Sequence, residues 1–336
     1  MEIRNRTPLM AAWSVLLDKD AAEHLGVAVR GTWDIDARGG LRLAPEQPPF
    51  QPVDDCVGEQ GLSSVRYEAD TGYVKPSTDC ALVGSAVAPR GRANQVRVSY
   101  RVGPVSKQAL VTGERKRLFW LLRWWNSPAR SFQRVPLQWE LAAGGTDTTP
   151  KNDKHHSLDM RNPYGRGFRA RGSKLPAAGA LLPQVLPAGF MLFGRKKVQV
   201  GFGLTGSQWA HRLPFAGTYD AAWMEHKAPL LPDDFDDRFH LAAAPGLSTP
   251  KYLEGGEPVE VRGCTTSGKL AFRLPRVSFD VNATLNAASE PVDMHMVTVT
   301  VDTDAMQLRI LWRGSIEVHR RLPKLKFIQV AAEGLE

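Results

Sequence analysis

Three cysteines in 336 residues, Cys56, Cys80 and Cys264, are too few and too widely separated to frame a disulfide scaffold or a zinc knuckle. A protein this poor in thiols is expected in a reducing compartment, the cytoplasm. No apolar run comes near the ~18 residues that cross a bilayer as a helix, so no membrane insertion is expected. The closest approach, "PLMAAWSVLL", follows Arg4 and Arg6 in the manner of a secretory leader, but Asp18, Lys19 and Asp20 come next without a small-x-small cleavage pattern. It reads better as a first strand that turns at "DKDA" into a second. Internal repeats of about 20–50 residues are missing, and so are a G-x-S-x-G elbow and an H-E-x-x-H pair. No nucleophile or helical zinc site is visible, although a triad assembled from distant residues stays open.

What the sequence does contain is an ordinary globular balance of 43% hydrophobic and 23% charged residues, with 24 prolines and 30 glycines scattered along it. Such scattering predicts many turns and few long helices. The length suits one large core or two modest domains of ~100–200 residues. Alternation dominates the first part: Val27, Val29, Trp33 and Ile35 share one side of "GVAVRGTWDID", and Val96, Val98, Tyr100 and Val102 share one side of "NQVRVSYRV". From 144 to about 181 turn residues and basic residues prevail. "TYDAAWMEHKA" predicts a short helix capped by Thr218, with Tyr219, Ala222, Trp223 and His226 on one side. Strands return in "VDMHMVTVTVDTD" and "MQLRILWRGSIEV". The expected fold is mainly β, with antiparallel sheets of sandwich or barrel type and few short helices. Its expected parts are a β-rich 1–143, a loop-rich basic connecting segment 144–216, and a short helical section then β-rich part over 217–336, either distinct or joined in one continuous unit.

Two glycine patterns invite a nucleotide reading. In "VEVRGCTTSGKLAFRL", Gly263, Gly268 and Lys269 imitate a phosphate loop, yet Leu270 stands where a hydroxyl would hold magnesium. Val259 and Val261 before the turn, and Leu270, Phe272 and Leu274 after it, alternate as strands, so a hairpin is expected. In "VQVGFGLTGSQWAHRLP", Gly201, Gly203 and Gly206 match dinucleotide spacing after Val198 and Val200. Pro214 closes off the helix that motif requires, and Asp220 sits in a turn or helix start. No cofactor is expected.

Candidate metal ligands fare no better. Asp233, Asp234, Asp236 and Asp237 beside His240 lack a calcium-loop register; Asp233 or Asp234 capping a short helix, with Phe235 against Phe239, explains the same letters. His155 and His156, flanked by Asp153 and Asp159, read as a solvated loop.

The formal charge is +8, and the densest basic segment is "GERKRLFWLLRWWNSPARSFQRVP". Here Arg115, Lys116, Arg117, Arg123, Arg130 and Arg134 interleave with Phe119, Trp120, Trp124, Trp125 and Phe132. Three readings fit: stacking of single-stranded bases, two strands whose aromatics fill a core, or a surface for an acidic protein partner. As a partner surface, its candidate residues are Arg115, Arg117, Trp120, Arg123, Trp124, Trp125 and Arg130.

Several stretches together resemble the family called domain of unknown function 2169: "MEIRNRTPLMAAWSVLLDKDAAEHLGVAVRGTWDI", "SSVRYEADTGYVKPSTDCALVGSAVAP", "RNPYGRGF", "GTYDAAWMEHKAPLLPDDFDDRFHLAAAP" and "YLEGGEPVEVRGCTTSGKLAFRLP". They run in family order from residue 1 to Pro275, and "VTVDTDAMQLRILWRG" extends the likeness to about residue 314. The resemblance implies a bacterial cytosolic adaptor or chaperone encoded beside type VI secretion genes. Its implied partners are a type VI effector toxin, a PAAR-like protein and the valine-glycine repeat spike protein. The family carries no established catalytic residues to transfer. The competing classes are an enzyme with an unrecognised site and a basic nucleic-acid-binding protein.

Overall fold

A computed structural model of the protein describes residues 2–173, 178–189, 199–286 and 288–335. Val198, expected in the strand before the glycine cluster, lies outside them. The fold is mainly β with several antiparallel sheets; among the described residues there is a single α-helix and no closed barrel. The central sheet runs in the order Met10–Leu17, Glu23–Ile35, Gln307–Glu317, His295–Asp302 and Asp79–Val83, with Leu41–Leu43 paired beside the end of Glu23–Ile35. Neighbours are antiparallel except His295–Asp302 with Asp79–Val83. The first hairpin turns where expected, because the Asp18 carboxylate accepts from the N–H groups of Asp20 and Ala22 at 2.9 and 2.8 Å.

The long strand Glu23–Ile35 belongs to two cores at once. On its odd-numbered face Leu25, Val27 and Val29 pack with Val281, Ala283, Ile328 and Val330 of a four-stranded sheet, whose order is Glu2–Asn5, Leu325–Glu333, Ser278–Leu285 and Ala288–Pro291. Farther along the same face Trp33 and Ile35 join Val98, Tyr100, Val102, Val259, Val261 and Leu270. These come from a five-stranded antiparallel sheet ordered Val185–Pro187, Val105–Thr112, Gln95–Val102, Pro258–Arg262 and Lys269–Arg273. The two-residue period therefore builds two sandwiches against one sheet. Each fully buried aliphatic side chain contributes about 1.5–3 kcal/mol.

Both glycine patterns serve packing and turns. Pro258–Arg262 pairs with Lys269–Arg273 in the register Val261 to Leu270 and Arg262 to Lys269, as a hairpin. Gly263 and Gly268 hold positive φ values of 78° and 80°, which suit glycine. Lys269 is paired with Glu260 at 2.9 Å, a surface bridge and not a phosphate clamp. Titration with ATP and magnesium is therefore expected to give no saturable heat, and Lys269→Ala to leave the melting temperature nearly unchanged; a micromolar isotherm lost in that variant would overturn this reading. Gly201 lies so close to Trp139 that an added Cβ would sit 2.5 Å from its ring. This closeness lets Trp139 meet Trp209 edge-on at 4.9 Å while its indole N–H donates to the Gly203 and Leu204 carbonyls. The glycines follow the demands of an indole, and no crossover helix comes after them.

Two caps differ from expectation. The helix spans Ala221–His226 and is capped by Asp220, whose carboxylate accepts from the Trp223 N–H at 2.9 Å. Thr218 instead donates its hydroxyl to Asp234 at 2.7 Å. The 3-10 turn Asp237–His240 is capped by Asp236 and not by Asp233 or Asp234; Phe235 and Phe239 do meet, 5.6 Å apart. In both cases the carboxylate nearest the first turn takes the free N–H groups.

Candidate functional site

The basic aromatic stretch forms a hairpin of its own. Arg117–Trp120 pairs with Arg123–Asn126 in the register Arg117 to Asn126, Leu118 to Trp125, Phe119 to Trp124 and Trp120 to Arg123. Opposite residues share a face, so Arg117, Phe119, Trp124 and Asn126 lie on one side and Leu118, Arg123 and Trp125 on the other. Aromatic residues thus occupy both sides, and among the described residues the hairpin joins no larger sheet. Phe119 and Trp124 rest against each other at 4.9 Å, and the Arg117 guanidinium lies 5.5 Å from the Trp124 ring. Leu121 and Leu122 form the tip, 75% and 90% exposed, and Trp125 is 56% exposed. The backbone of Trp120 is described, but its side chain is not.

The tip turn is costly. Its two central residues carry φ of 48° and 61°, the mirror-image geometry that hairpins usually assign to Asn-Gly. For a leucine the left-handed region costs roughly 1–2 kcal/mol. At the base the hairpin is held firmly: the Arg117 N–H donates to the Ala180 carbonyl at 2.8 Å, Gly179 returns a bond to the Arg117 carbonyl at 2.7 Å, and Ser127 donates to the Lys116 carbonyl at 2.8 Å. The arrangement is a fixed stalk with an apolar tip, and aromatic side chains that a core would normally cover face water.

The other expected contact residues divide between surface and interior. Arg123 stands on the exposed hairpin, and Arg130 is exposed beside Glu114 at 3.6 Å. Arg115 is buried; its guanidinium donates to the Pro183 carbonyl at 3.0 Å and ties the hairpin base to a neighbouring segment. It supports the stalk from inside.

A second site carries no local signature. On the outer face of the central sheet, Arg30 reaches both Asp70 oxygens at 2.6 and 2.7 Å and the carbonyls of Pro48 and Pro49. Arg313 binds the carbonyls of Ala69, Asp70 and Tyr73 and meets Glu68 at 3.3 Å. Lys75, 2% exposed, donates to Glu68 at 2.7 Å, Asp79 at 2.8 Å and Thr298 at 2.8 Å. Burial works to raise the Glu68 pKa, but Lys75 and Arg313 outweigh it and hold the carboxyl down to about 2. Beside this network lies a cavity of about 190 Å³ lined by Glu68, Tyr73, Thr205, Arg212, His240 and Arg313 among others. His240 stacks on Tyr73 at 4.5 Å; burial first, then Arg212, Lys75 and Arg313, holds it down to about 4. Sequence reasoning places His240 in a capped turn and passes over the rest, because partners such as Lys75 and Thr298 lie 223 residues apart.

His155 falls in the 3-10 turn Asp153–His155, where Asn152 caps the Lys154 N–H, and His156 follows with a bond to the Pro150 carbonyl. No helix in the described residues is long and apolar enough to cross a membrane. No curated protein and no solved structure matches the sequence. The model of the family DUF2169, described as an uncharacterized protein conserved in bacteria, matches residues 20–313, and the chain belongs to that family.

Proposed function

We propose that this protein works by binding another protein, with the hairpin Arg117–Asn126 as its main contact. One observation carries the reading: the hairpin exposes large apolar side chains on both faces and at a strained tip, away from either sandwich core. Covering such groups favours association with a partner, and tryptophan and arginine are frequent anchors of interfaces. Strain held at an exposed tip is a cost that folding alone gives no reason to keep. The partner class is the one implied by the family resemblance: a type VI effector toxin or its PAAR-like portion, escorted in the cytoplasm to the valine-glycine repeat spike. The function needs no cofactor and no catalytic group, only a surface that fits.

The test is capture of the effector or PAAR-like protein encoded beside the gene. Leu122→Asp and Trp125→Ala are each expected to weaken capture at least tenfold, since anchor residues commonly cost ~2 kcal/mol or more on truncation. Their melting temperatures are expected to stay within a few degrees of wild type, because exposed side chains contribute little to folding. A wild-type protein that captures neither partner would reject the assignment. Steeply salt-dependent binding of random RNA or DNA, lost in the same variants, would replace it with nucleic-acid binding.

A further inference from the structure

The cavity beside the buried ion network holds a cation, Arg212, that forms no close ion pair with the described residues, though Asp79, Glu68 and Asp54 lie near enough to act on its charge. Arg212 is anchored on two sides: its Nε donates to the Phe239 carbonyl at 2.9 Å and its Nη1 to the Thr205 carbonyl at 2.9 Å. The guanidinium also lies over the Phe239 ring at 5.1 Å. Its Nη2 makes no hydrogen bond to the described residues, and the side chain lines the cavity. The nearby carboxylates are already engaged. Glu68 receives Lys75, Arg313 and the Thr298 hydroxyl. Asp79 receives Lys75, the Ala242 N–H at 2.7 Å and the Ser248 hydroxyl at 2.7 Å. Asp54 stands at the exposed rim and accepts from the Ala69 N–H. Around His240, then, Lys75, Arg212 and Arg313 gather beside Glu68 and Asp79, while the third buried carboxylate of the network, Asp70, is taken up by Arg30. A half-buried guanidinium with a free edge, fixed in position beforehand, is a ready receptor for an oxyanion, because its N–H groups match a carboxylate or phosphate edge.

We infer that this cavity binds a small oxyanion of carboxylate or phosphate type, with Arg212 as its principal ligand. The space of about 190 Å³ admits a phosphate ion or the free carboxyl end of a peptide. Thr71, another lining residue, stands where it can report occupancy without disturbing the anchors of Arg212. The site is separate from the hairpin and does not depend on the proposed partner.

Calorimetric titration of the full-length protein with inorganic phosphate, and separately with N-acetylglycine as a mimic of a peptide's free carboxyl end, tests the assignment. Saturable binding of at least one probe is expected; the tighter of the two identifies the source of the oxyanion. Arg212→Gln should weaken it at least tenfold. Because Arg212 also ties two segments together, Thr71→Glu provides an independent arm: its carboxylate placed in the cavity should abolish binding while leaving Arg212 in place. Absence of saturable binding by both probes to the wild type would overturn the inference. So would binding that survives Thr71→Glu, since the oxyanion would then sit outside the cavity.

Discussion

Replacing Lys75 by methionine is expected to cost the fold about 3–5 kcal/mol, because it leaves the buried Asp79 without its paired cation and Glu68 with only the weaker of two. Lys75 is 2% exposed and touches Glu68, Asp79 and Thr298; without it Asp79 keeps the Ala242 N–H and the Ser248 hydroxyl but loses its ion pair. Glu68 keeps Arg313, at 3.3 Å, as a weaker substitute. Urea denaturation of the purified variant checks the figure, and a loss under about 1 kcal/mol would show that the network is not the stabilising element described. Adding Glu68→Gln to Lys75→Met should restore part of the loss, since one stranded charge is then removed; double-mutant comparison measures that coupling.

Mild acid should weaken the fold through two buried histidines, at higher pH than that at which Glu68 protonates. His211 and His240 are both held down to about 4 against an ordinary value of 6.5, by burial first and next by Arg212. The unfolded protein takes up these two protons as the pH falls below 6.5, and the folded protein resists them until about 4. Stability from this source is therefore fully present above 6.5 and is lost as the pH falls towards about 4, by roughly 2–3 kcal/mol for each histidine. Glu68 acts in a lower window: its contribution is present above 4.5 and lost only as the pH falls through about 2. Urea unfolding at about pH 7 and about pH 4.5 separates the two. The wild type should lose several kcal/mol between those conditions, and His211→Asn/His240→Gln should lose less than half as much. An equal loss in both proteins would place the acid sensitivity elsewhere.

Much of the framework was legible because strands announce themselves locally. Val96, Val98, Tyr100 and Val102 alternate in the sequence and are buried in the structure, and the hairpin around Gly263 and Gly268 follows from the same period and its turn residues. Pairing was not legible. Nothing in "DCALV" says that it lies parallel to His295–Asp302, more than two hundred residues away. The ion network was hidden for the same reason: Glu68, Lys75 and Arg313 each look like surface charges until the fold brings them together. The hairpin shows a different limit. Alternating tryptophans and leucines look alike whether they fill a core or stand in water, so the letters of "RLFWLLRWWN" left core and contact surface open. Arg115 misled in the other direction: it is buried and bonds the Pro183 carbonyl, 68 residues away in the chain.

The order of strands in the central sheet also governs when this protein can fold during synthesis. Gln307–Glu317 sits between Glu23–Ile35 and His295–Asp302, so the sheet has a gap at its middle until residue 317 has left the ribosome. Until then the early strands Met10–Leu17 and Glu23–Ile35 wait as a two-stranded ribbon with an open, apolar edge. Long-range pairing of this kind is slow and leaves unpaired edges exposed to neighbouring molecules. A chain truncated before residue 307 is expected to clump, whereas one that includes residue 317 and has been released from the ribosome can close the central sheet. For most of its own synthesis the chain thus depends on not meeting another copy.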